Sequence, residues 1–494
     1  MTHYTKTFCL LVIGLLSFQP ASVWSQTSEA KPEMDFISGD AIQLDLDSLR
    51  QWVLDMHPAP YTNCTKTEFE AAYEAASRMY DGGGSRMAAA QAYARFLNVM
   101  KDSHSCVSLK SLSEELAQVH GVFPIEVTTV ENRVFTLEDA SGRIPTGTEI
   151  KMVAGKSARS VLGMALPLVA QEGEAQVARL RLADKLWNDL VPILSHSQPG
   201  DSIELFITDS LGARVMFPLV HPDLILHHRE NQSPVHWSFQ TENHGVTAIL
   251  TISSFQPHRK NRYIRDLKNG FKVIRDINRE ESTPLIGLII DLRGNAGGHV
   301  SLMEELVPYI SSQPVLLPHA VQIRQSQHTY DQYRAHAFQW PVRKKSKKWE
   351  MSHFVKALRT TPVDSTAEVL FAQASLPHKR LLYQGPIALI IDGLSASASV
   401  SMASWFVQSA RGKTFGEPPM GSASGTFGNP YQRALPETGV RVNIATARYF
   451  TSASRIWESR PLLPDFPVSW GIHDLIHGND PVKDAAKTWL LEQP

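Results

Sequence analysis

Two turns rich in glycine and serine contain the residues best suited to chemistry. Residues 291–298 (Asp-Leu-Arg-Gly-Asn-Ala-Gly-Gly) follow an apolar run, and their glycines let backbone N–H groups converge on an anion because no Cβ obstructs the approach. Residues 395–399 (Ser-Ala-Ser-Ala-Ser) follow a second apolar run and precede a helical pattern. A serine there would expose its hydroxyl, and the helix N-terminus would offer N–H groups to a developing oxyanion. Ordinary helix capping by one of these serines is the alternative.

A histidine and a carboxylate elsewhere in the chain would complete a nucleophilic site. His104 lies in the run Asp-Ser-His-Ser, and an imidazole titrates close enough to neutrality to act as the general base for a serine. Glu458 lies in a polar run near the C-terminus and offers a carboxylate that could orient such a base. The alternatives are a structural or surface histidine and a glutamate in a solvated loop.

Other kinds of site are not indicated. The 19 histidines include no His-Glu-x-x-His pattern, and His227 and His228 are adjacent, so on a strand they would point to opposite sides. Residues 291–298 lack the glycine order of nucleotide-binding loops. The 48 Lys and Arg balance 49 Asp and Glu, which argues against a basic surface for nucleic acid. We therefore expect no metal, no cofactor and no nucleic-acid partner.

Alternating strands and helices are predicted to position the two turns. The apolar runs at 285–291 and 387–392 have the pattern of buried strands, and residues 263–277 have the period of an amphipathic helix. Such alternation indicates an α/β domain, which we place at residues 236–480. A polar insertion at residues 312–380 interrupts it.

The half of the chain before this domain has a different pattern. Helical periodicity, including the capping box from Thr65 to Glu68, predicts a helical domain at residues 41–115 that carries the Ser-His pair. Short strands separated by glycines predict a β-rich domain at residues 116–225, within which residues 144–155 resemble a PDZ core.

The N-terminus predicts export. A polar start with Lys6 precedes an apolar run at 8–18, and small residues follow near Ser25, as in a secretory signal peptide; a retained signal anchor is the alternative. We place the signal peptide at residues 1–25 and a linker at residues 26–40. The mature protein is then expected to be periplasmic or secreted, with no membrane insertion.

Composition and cysteine content agree with a globular exported protein. Apolar residues make up 43% and charged residues 20% of the 494 positions, and three cysteines are too few for a disulfide scaffold. Cys64 and Cys106 remain after removal of the signal peptide. They either form a disulfide, which an exported compartment permits, or stay as buried thiols.

Together the motifs resemble the C-terminal-processing (tail-specific) serine peptidases. Residues 291–298 resemble their Asp-x-Arg-Gly-Asn-Gly-Gly-Gly segment, residues 395–399 their Ser-Ala-Ser-Ala-Ser nucleophile turn, and residues 415–421 their Gly-Glu-Pro-Thr-x-Gly segment. The resemblance is firm over roughly 245–470 and looser over residues 41–110. It implies an α/β core built as a ClpP/crotonase-like strand–strand–helix spiral, with the N-terminal helical bundle and the β-rich PDZ-like region attached.

The chain departs from the bacterial processing proteases at one position. Those enzymes use a Ser–Lys dyad whose lysine follows the Gly-Glu-Pro segment, and here that place is taken by Ser422. The chain resembles instead the tricorn-core branch, which uses a serine, a histidine preceded by a serine, and a downstream glutamate. This resemblance implies Ser397 as nucleophile and His104 as base, with Ser103 and Glu458 holding the imidazole.

The expected oxyanion hole consists of the backbone N–H groups of Gly297 and Ala398, with Gly298 as the alternative donor. Ser395 and Ser399 are the alternative nucleophiles.

The resemblance implies an exported serine endopeptidase that hydrolyses peptide bonds of proteins or peptides through an acyl-enzyme. An inactive relative that binds a hydrophobic ligand or peptide is the alternative, and an acyl-CoA enzyme is a weaker one because CoA substrates are cytoplasmic. The sequence leaves the oligomeric state open.

Overall fold

The computed structural model describes residues 36–195, 201–208, 213–220, 233–242, 244–279, 284–339, 345–371, 374–451 and 456–493. The predicted signal peptide and most of the predicted linker lie outside these ranges. None of the helices within the ranges combines the length and the apolar character that a membrane span requires.

Three helices form the N-terminal part, as the sequence pattern predicts. They are α1 (Gly39–Met56), α2 (Lys66–Met79) and α3 (Arg86–Asn98). The capping box at α2 is confirmed, since Thr65 Oγ1 accepts the N–H of Glu68 and the Glu68 carboxylate accepts the N–H of Thr65. The chain leaves α3 directly for the turn that carries Ser103 and His104.

An antiparallel sheet dominates the next region. Its strands follow the order β2-β3-β4-β6-β7, and β5 pairs with β4 alone. The strands are β2 (Ile125–Val130), β3 (Arg133–Asp139), β4 (Glu149–Val153), β5 (Lys156–Ser157), β6 (Ser202–Thr208) and β7 (Ala213–Pro218). The helices are α4 (Leu109–His120), α5 (Ala158–Ala165), α6 (Gln176–Lys185) and α7 (Trp187–Leu194). This region and the N-terminal helices share one hydrophobic core, so the predicted boundary near residue 115 separates sequence patterns rather than separate cores.

A six-stranded sheet forms the α/β core. Its strands are parallel except for β8 (Val235–Glu242), which runs antiparallel to its neighbour. The strand order is β19-β14-β13-β10-β9-β8. The strands are β8 (Val235–Glu242), β9 (Gly245–Ile252), β10 (Leu285–Asp291), β13 (Ile387–Ile391), β14 (Lys413–Gly416) and β19 (Phe466–Pro467). Alternate residues of β13 enter two different hydrophobic clusters, one on each face of the sheet. Burial on both faces explains why the sequence shows continuous apolar runs there.

Helices cover this sheet and connect its strands. They are α8 (Lys260–Ile277), α9 (Val300–Met303), α10 (Val307–Ile310), α13 (Ala398–Ser409) and α15 (Pro481–Leu491). Helix α14 (Ile472–His477) packs instead on the antiparallel sheet, where Leu475 joins Val130 and Phe135. Strands β10 and β13 are parallel neighbours, with Asp291 opposite Ile390, so the two chemistry-bearing turns leave the same edge of the sheet side by side.

In the described residues of the predicted insertion at 312–380 there are two strands and two helices. They are β11 (Ala320–Arg324), α11 (Gln327–Gln339), α12 (Lys345–Thr360) and β12 (Thr366–Leu370). The two strands extend an antiparallel sheet, ordered β12-β11-β18-β15, that also contains β15 (Gly425–Gly428) and β18 (Ala447–Phe450). The insertion is therefore integrated into the core rather than appended to it.

A small three-stranded sheet attaches the N-terminal half to the core. It consists of β1 (Cys106–Val107), β16 (Tyr431–Ala434) and β17 (Arg441–Ile444), with β17 in the centre. Strand β1 follows the Ser-His turn immediately and pairs with β17, with Cys106 opposite Asn443. The hydroxyl of Ser105 accepts the N–H of Ala445 at 3.0 Å. This pairing brings the turn with His104 onto the α/β core.

The two described cysteines are free thiols. Cys64 is half-buried and Cys106 is buried. Burial raises the pKa of the Cys106 thiol to about 12, so this thiol is neutral at physiological pH.

Candidate active site

Of the three serines in the turn at 395–399, only Ser397 is partly exposed. The hydroxyl of Ser395 donates to the carbonyl of Leu292 at 2.9 Å, and that of Ser399 donates to the carbonyl of Asn295 at 2.9 Å. Ser397 is the N-cap of α13, yet its side chain makes no capping hydrogen bond. The hydroxyls of Ser395 and Ser399 therefore anchor the turn, whereas the hydroxyl of Ser397 is free to react with a ligand.

The backbone at Ser397 is strained. Its φ of 53° and ψ of −117° lie in a region that residues with a Cβ rarely adopt, at a cost of about 1–3 kcal/mol. The neighbours hold this conformation: the N–H of Ala396 donates to the carbonyl of Asn295 at 3.0 Å, and the carbonyl of Ser395 accepts the N–H of Met420 at 2.9 Å. A sharp strand-to-helix turn of this kind presents the serine hydroxyl to a ligand.

Ser397 and His104 line the same cavity, whose volume is about 80 Å³. Tyr449 of β18 and Pro318, two residues before β11, contribute to its wall. Among the described residues that line the cavity, His104 is the one that can carry a charge. The two described side chains form no hydrogen bond with each other; resting enzymes often hold such pairs apart.

Several polar groups lie on the Nδ1 side of the His104 ring. Nδ1 is 3.3 Å from Ser103 Oγ, 3.8 Å from Asp102 Oδ1 and 4.0 Å from Glu172 Oε2. The backbone N–H of His104 donates to the same Asp102 oxygen at 2.9 Å. Nε2 is consequently the ring nitrogen left to face the cavity that contains Ser397.

Asp102 is a buried carboxylate held by two histidines. Its Oδ2 lies 3.0 Å from His57 Nε2, and His57 Nδ1 accepts the N–H of Ala59 at 3.1 Å, so Nε2 carries the proton and donates to Asp102. Burial alone would raise the pKa of Asp102. The interactions with His104 and His57 outweigh burial and hold this pKa well below its usual range.

Glu172 is also buried, but its environment raises the pKa of its carboxyl instead of lowering it. Its Oε2 accepts the N–H of Ser103 at 2.8 Å and the hydroxyl of Ser103 at 2.7 Å, whereas Oε1 has no partner. Burial and the negative charge of Asp102 raise the pKa of Glu172. Burial would lower the pKa of His104, but Asp102 and Glu172 raise it above its ordinary value.

The ligand atoms of Asp102, His104 and Glu172 lie within 4.8 Å of one another, a spacing that a metal ion could bridge. However, both Asp102 oxygens already accept hydrogen bonds, from His57 and from the backbone of His104. One Glu172 oxygen accepts two from Ser103. These contacts form a hydrogen-bond network around an imidazole, and of the four carboxylate oxygens of Asp102 and Glu172 only Glu172 Oε1 has no hydrogen-bond partner among the described residues.

The structure favours Gly298 over Gly297 as an oxyanion donor. The N–H of Gly297 donates to Asn295 Oδ1 at 2.9 Å and is therefore engaged. Within the described part of the chain, the N–H groups of Gly298 and Ala398 donate to no protein acceptor. Gly298 has a φ of 133°, which requires glycine at this position.

Glu458 is not brought to the histidine. Its side chain is exposed, and its backbone N–H donates to Ser424 Oγ at 3.0 Å. The carboxylate that contacts Ser103 is Glu172, which the sequence analysis did not identify. One signal was available, because Glu172 ends a run of otherwise uncharged residues that begins at Ser160.

Comparison with known proteins identifies a family for the core. Residues 246–468 match the family model described as peptidase family S41. No curated protein sequence matches the chain.

Among solved structures, two of CPAF share the fold over nearly the whole chain. The structure of mature CPAF complexed with lactacystin has a TM-score of 0.64 and 13% identity, covering 92% of this chain and 98% of that chain. A CPAF mutant has a TM-score of 0.66 and 14% identity, with the same coverage. The photosystem II D1 C-terminal processing protease is less similar, with a TM-score of 0.42 and 13% identity over 86% of this chain and 93% of that chain.

Proposed function

The chain belongs to peptidase family S41 and is a serine-type peptidase, and on this premise we propose that it cleaves peptide bonds with Ser397 as nucleophile and His104 as general base. Its six-stranded core is the ClpP/crotonase-like part of the fold, and the antiparallel sheet between residues 125 and 218 is the PDZ-like part. A peptide or protein is accordingly its substrate.

One observation carries the assignment of these two residues. Ser397 has the only available hydroxyl of the serine turn, and the cavity that it lines also contains His104, from a segment almost 300 positions earlier in the chain. Nothing in local sequence requires such a meeting, and a nucleophilic serine needs a base within reach.

The proposed reaction proceeds through an acyl-enzyme. Ser397 Oγ attacks the carbonyl carbon of the scissile bond while its proton passes to His104 Nε2. The carbonyl oxygen becomes an oxyanion that accepts the N–H groups of Ala398 and Gly298. In other serine enzymes the loss of one such donor costs about 3–4 kcal/mol. His104 then protonates the leaving amine, and a water molecule, deprotonated by the same imidazole, releases the acyl group from Ser397.

The wall of the cavity supports a preference for uncharged residues at the scissile bond. Val300, Pro318 and Tyr449 are apolar or aromatic, and apart from His104 none of the described wall residues can supply a charge to pair with a charged side chain. Test peptides should therefore be unstructured and uncharged around the scissile bond.

We also propose an exported location, which rests on the N-terminal sequence pattern and is tested by fractionating cells that express the full chain.

The experiment combines a serine-directed fluorophosphonate with a peptide-hydrolysis assay on the protein lacking residues 1–25. Wild type is expected to be labelled at Ser397 and to cleave the peptides, whereas Ser397→Ala and His104→Ala lose both properties. Ser409→Ala is the matched control, because Ser409 is an exposed serine at the other end of α13. Labelling at Ser395 or Ser399, or equal activity in all variants, would overturn the assignment. Complete absence of labelling and cleavage in wild type would favour the peptide-binding alternative.

A further inference from the structure

We propose that Glu172 is a positioning residue of this site: it holds the Ser103 hydroxyl, and thereby His104, in the place where Glu458 was expected. The proposal rests on the proposed roles of Ser397 and His104. It adds a residue from the segment between α5 and α6, in the PDZ-like region, which lies outside residues 246–468, the range that matches the peptidase family.

The distances give the direction of the hydrogen bonds. The Ser103 hydroxyl has one hydrogen, and Glu172 Oε2 at 2.7 Å is the closer and more strongly accepting partner. Ser103 Oγ is then left to accept a hydrogen from His104 Nδ1 at 3.3 Å. With its proton on Nδ1, the imidazole has a lone pair on Nε2, and this is the form that can accept the proton of Ser397.

Asp102 lies nearby but is less suited to this role. Its Oδ1 is 3.8 Å from His104 Nδ1, beyond a hydrogen bond, and already accepts the His104 backbone N–H. Its other oxygen is engaged by His57. Asp102 thus fixes the main chain and contributes negative charge, while the contact that selects the Nδ1–H tautomer runs from His104 through Ser103 to Glu172.

The loop that carries Glu172 is held from two sides. The N–H of Gly173 donates to the carbonyl of Lys101 at 2.8 Å, and the N–H of Glu174 donates to the carbonyl of Ser459 at 2.9 Å. Gly173 has a φ of 51°, and a Cβ there would lie 2.2 Å from the carbonyl oxygen of Ser459. Only glycine permits this close approach.

These contacts explain why Glu458 is absent from the site. The main chain of residue 459, directly after Glu458, is occupied with holding the loop of Glu172. Asn63 adds to this arrangement, because its side chain donates to the carbonyl of Lys101 at 3.0 Å and accepts the hydroxyl of Ser459 at 2.6 Å. The Glu172 loop therefore packs between the Ser-His segment and the segment of Glu458, whose side chain points into solvent.

The first test replaces the carboxylate. Glu172→Gln is expected to lower kcat/KM by at least about 10-fold, below the 10⁴-fold seen when the buried aspartate of a direct triad is neutralised, since Asp102 remains. The effect should appear in kcat rather than KM, and fluorophosphonate labelling should slow by the same factor. Glu172→Asp keeps the charge and is expected to recover part of the loss. Glu174→Gln changes an exposed glutamate of the same loop and should behave as wild type.

The pH profile separates positioning from a purely structural role. The groups that face His104 are Ser103, Asp102 and Glu172, with His57 behind Asp102. The raised pKa of Glu172 leaves its carboxyl partly protonated in the acidic limb, but the charge that it does carry favours the protonated imidazole, and Glu172→Gln removes that charge. The acidic limb of kcat/KM is therefore expected to move to lower pH in Glu172→Gln and to stay in place in Glu174→Gln.

A second variant displaces the loop without changing the carboxylate. Gly173→Ala should lower kcat, because its Cβ forces the loop away from Ser459. Gly163→Ala in α5 is the control, since a Cβ there meets no atom within 4 Å. Thermal unfolding of each variant shows whether it is folded. If Glu172→Gln does not fold, Glu172→Asp and Gly173→Ala provide the test.

The outcomes distinguish this inference from the function on which it rests. Unlabelled and inactive wild type would overturn the roles of Ser397 and His104. If wild type is active, Glu172→Gln with unchanged kcat and unchanged acidic limb overturns the role of Glu172 alone. A large loss in Glu458→Gln together with little change in Glu172→Gln would do the same, because it would return the positioning role to Glu458.

Discussion

The proposed site has two halves, a nucleophile half around Ser397 and a base half around His104, and they are built in different ways. The nucleophile half, residues 291–298 and 395–399, consists of two turns that leave neighbouring parallel strands at the same edge. The base half consists of one continuous run, residues 102–104, and of Glu172 from a distant segment, and the two are joined by contacts of the Glu172 side chain with Ser103.

The two halves also differ in charge. Around Ser397 the hydroxyls of Ser395 and Ser399 donate to backbone carbonyls, and the carboxylate that contacts these turns, Asp392, accepts the N–H of Gly294 at 3.0 Å and the hydroxyl of Ser395 at 3.1 Å. Around His104 two buried carboxylates lie close together, and the pKa of one is lowered while that of the other is raised. We conclude that strand pairing fixes the geometry of the nucleophile half, whereas the geometry of the base half depends on protonation and on contacts between distant segments.

The largest expected effect comes from removing either half. Ser397→Ala and His104→Ala are each expected to lower kcat by about 10⁴-fold or more, because nucleophile and base act as one unit. The double variant should be no slower than either single variant. Single-turnover hydrolysis of a peptide measures all three rates, and losses that multiply in the double variant would show that the two residues act independently.

A backbone change within the nucleophile half should have the next largest effect. A Cβ on Gly298 would lie 2.5 Å from the carbonyl carbon of Phe255, so Gly298→Ala must displace the turn. We expect kcat to fall by about 10²–10³-fold, the range for loss of one oxyanion donor. Gly163→Ala again serves as the control, and an unchanged kcat in Gly298→Ala would exclude this N–H as a donor.

The buried carboxylate Asp102 of the base half should make the stability of the protein depend on pH. The pKa of Asp102 is lower in the folded than in the unfolded chain, so its carboxylate contributes stability that is complete above about pH 4 and is lost as the pH falls further. A group of this type contributes about 1–3 kcal/mol.

Urea unfolding between pH 7 and pH 2 tests this contribution. Asp102→Asn should be less stable than wild type at neutral pH, and the difference should shrink as the pH falls below 4. The exposed Asp40 provides the control variant Asp40→Asn. A difference between wild type and Asp102→Asn that stays constant over the whole range would contradict the assignment.

The smallest effect is expected from an anchoring serine. Ser395→Ala removes a buried hydroxyl that donates to the carbonyl of Leu292, and it should lower the free energy of unfolding by about 1–2 kcal/mol. Its fluorophosphonate labelling should stay within a few-fold of that of wild type, because Ser397 is unchanged. Complete loss of labelling in a folded Ser395→Ala protein would mean that the anchors take part in the reaction.

Much of the α/β core could be predicted from the sequence. The runs at 285–291 and 387–392 are apolar because both faces of their strands are buried, and the structure contains β10 and β13 there. Helix α2 begins at its predicted capping box because that signal is local. Glu172 was not predicted as a site residue because its partner Ser103 is 69 positions away in the chain, and the residues next to Glu172 in the sequence do not identify that partner.

The sequence by itself determined the strands, the helix caps and the residue types of the two turns, since each depends on neighbours within a few positions. It also restricted the proposed nucleophile to three serines. Only the tertiary structure distinguishes these serines, because it buries and hydrogen-bonds Ser395 and Ser399 and leaves Ser397 partly exposed in the cavity that His104 also lines. It likewise decided which glutamate faces Ser103, because the environment of a buried carboxylate is set by segments that meet only after folding.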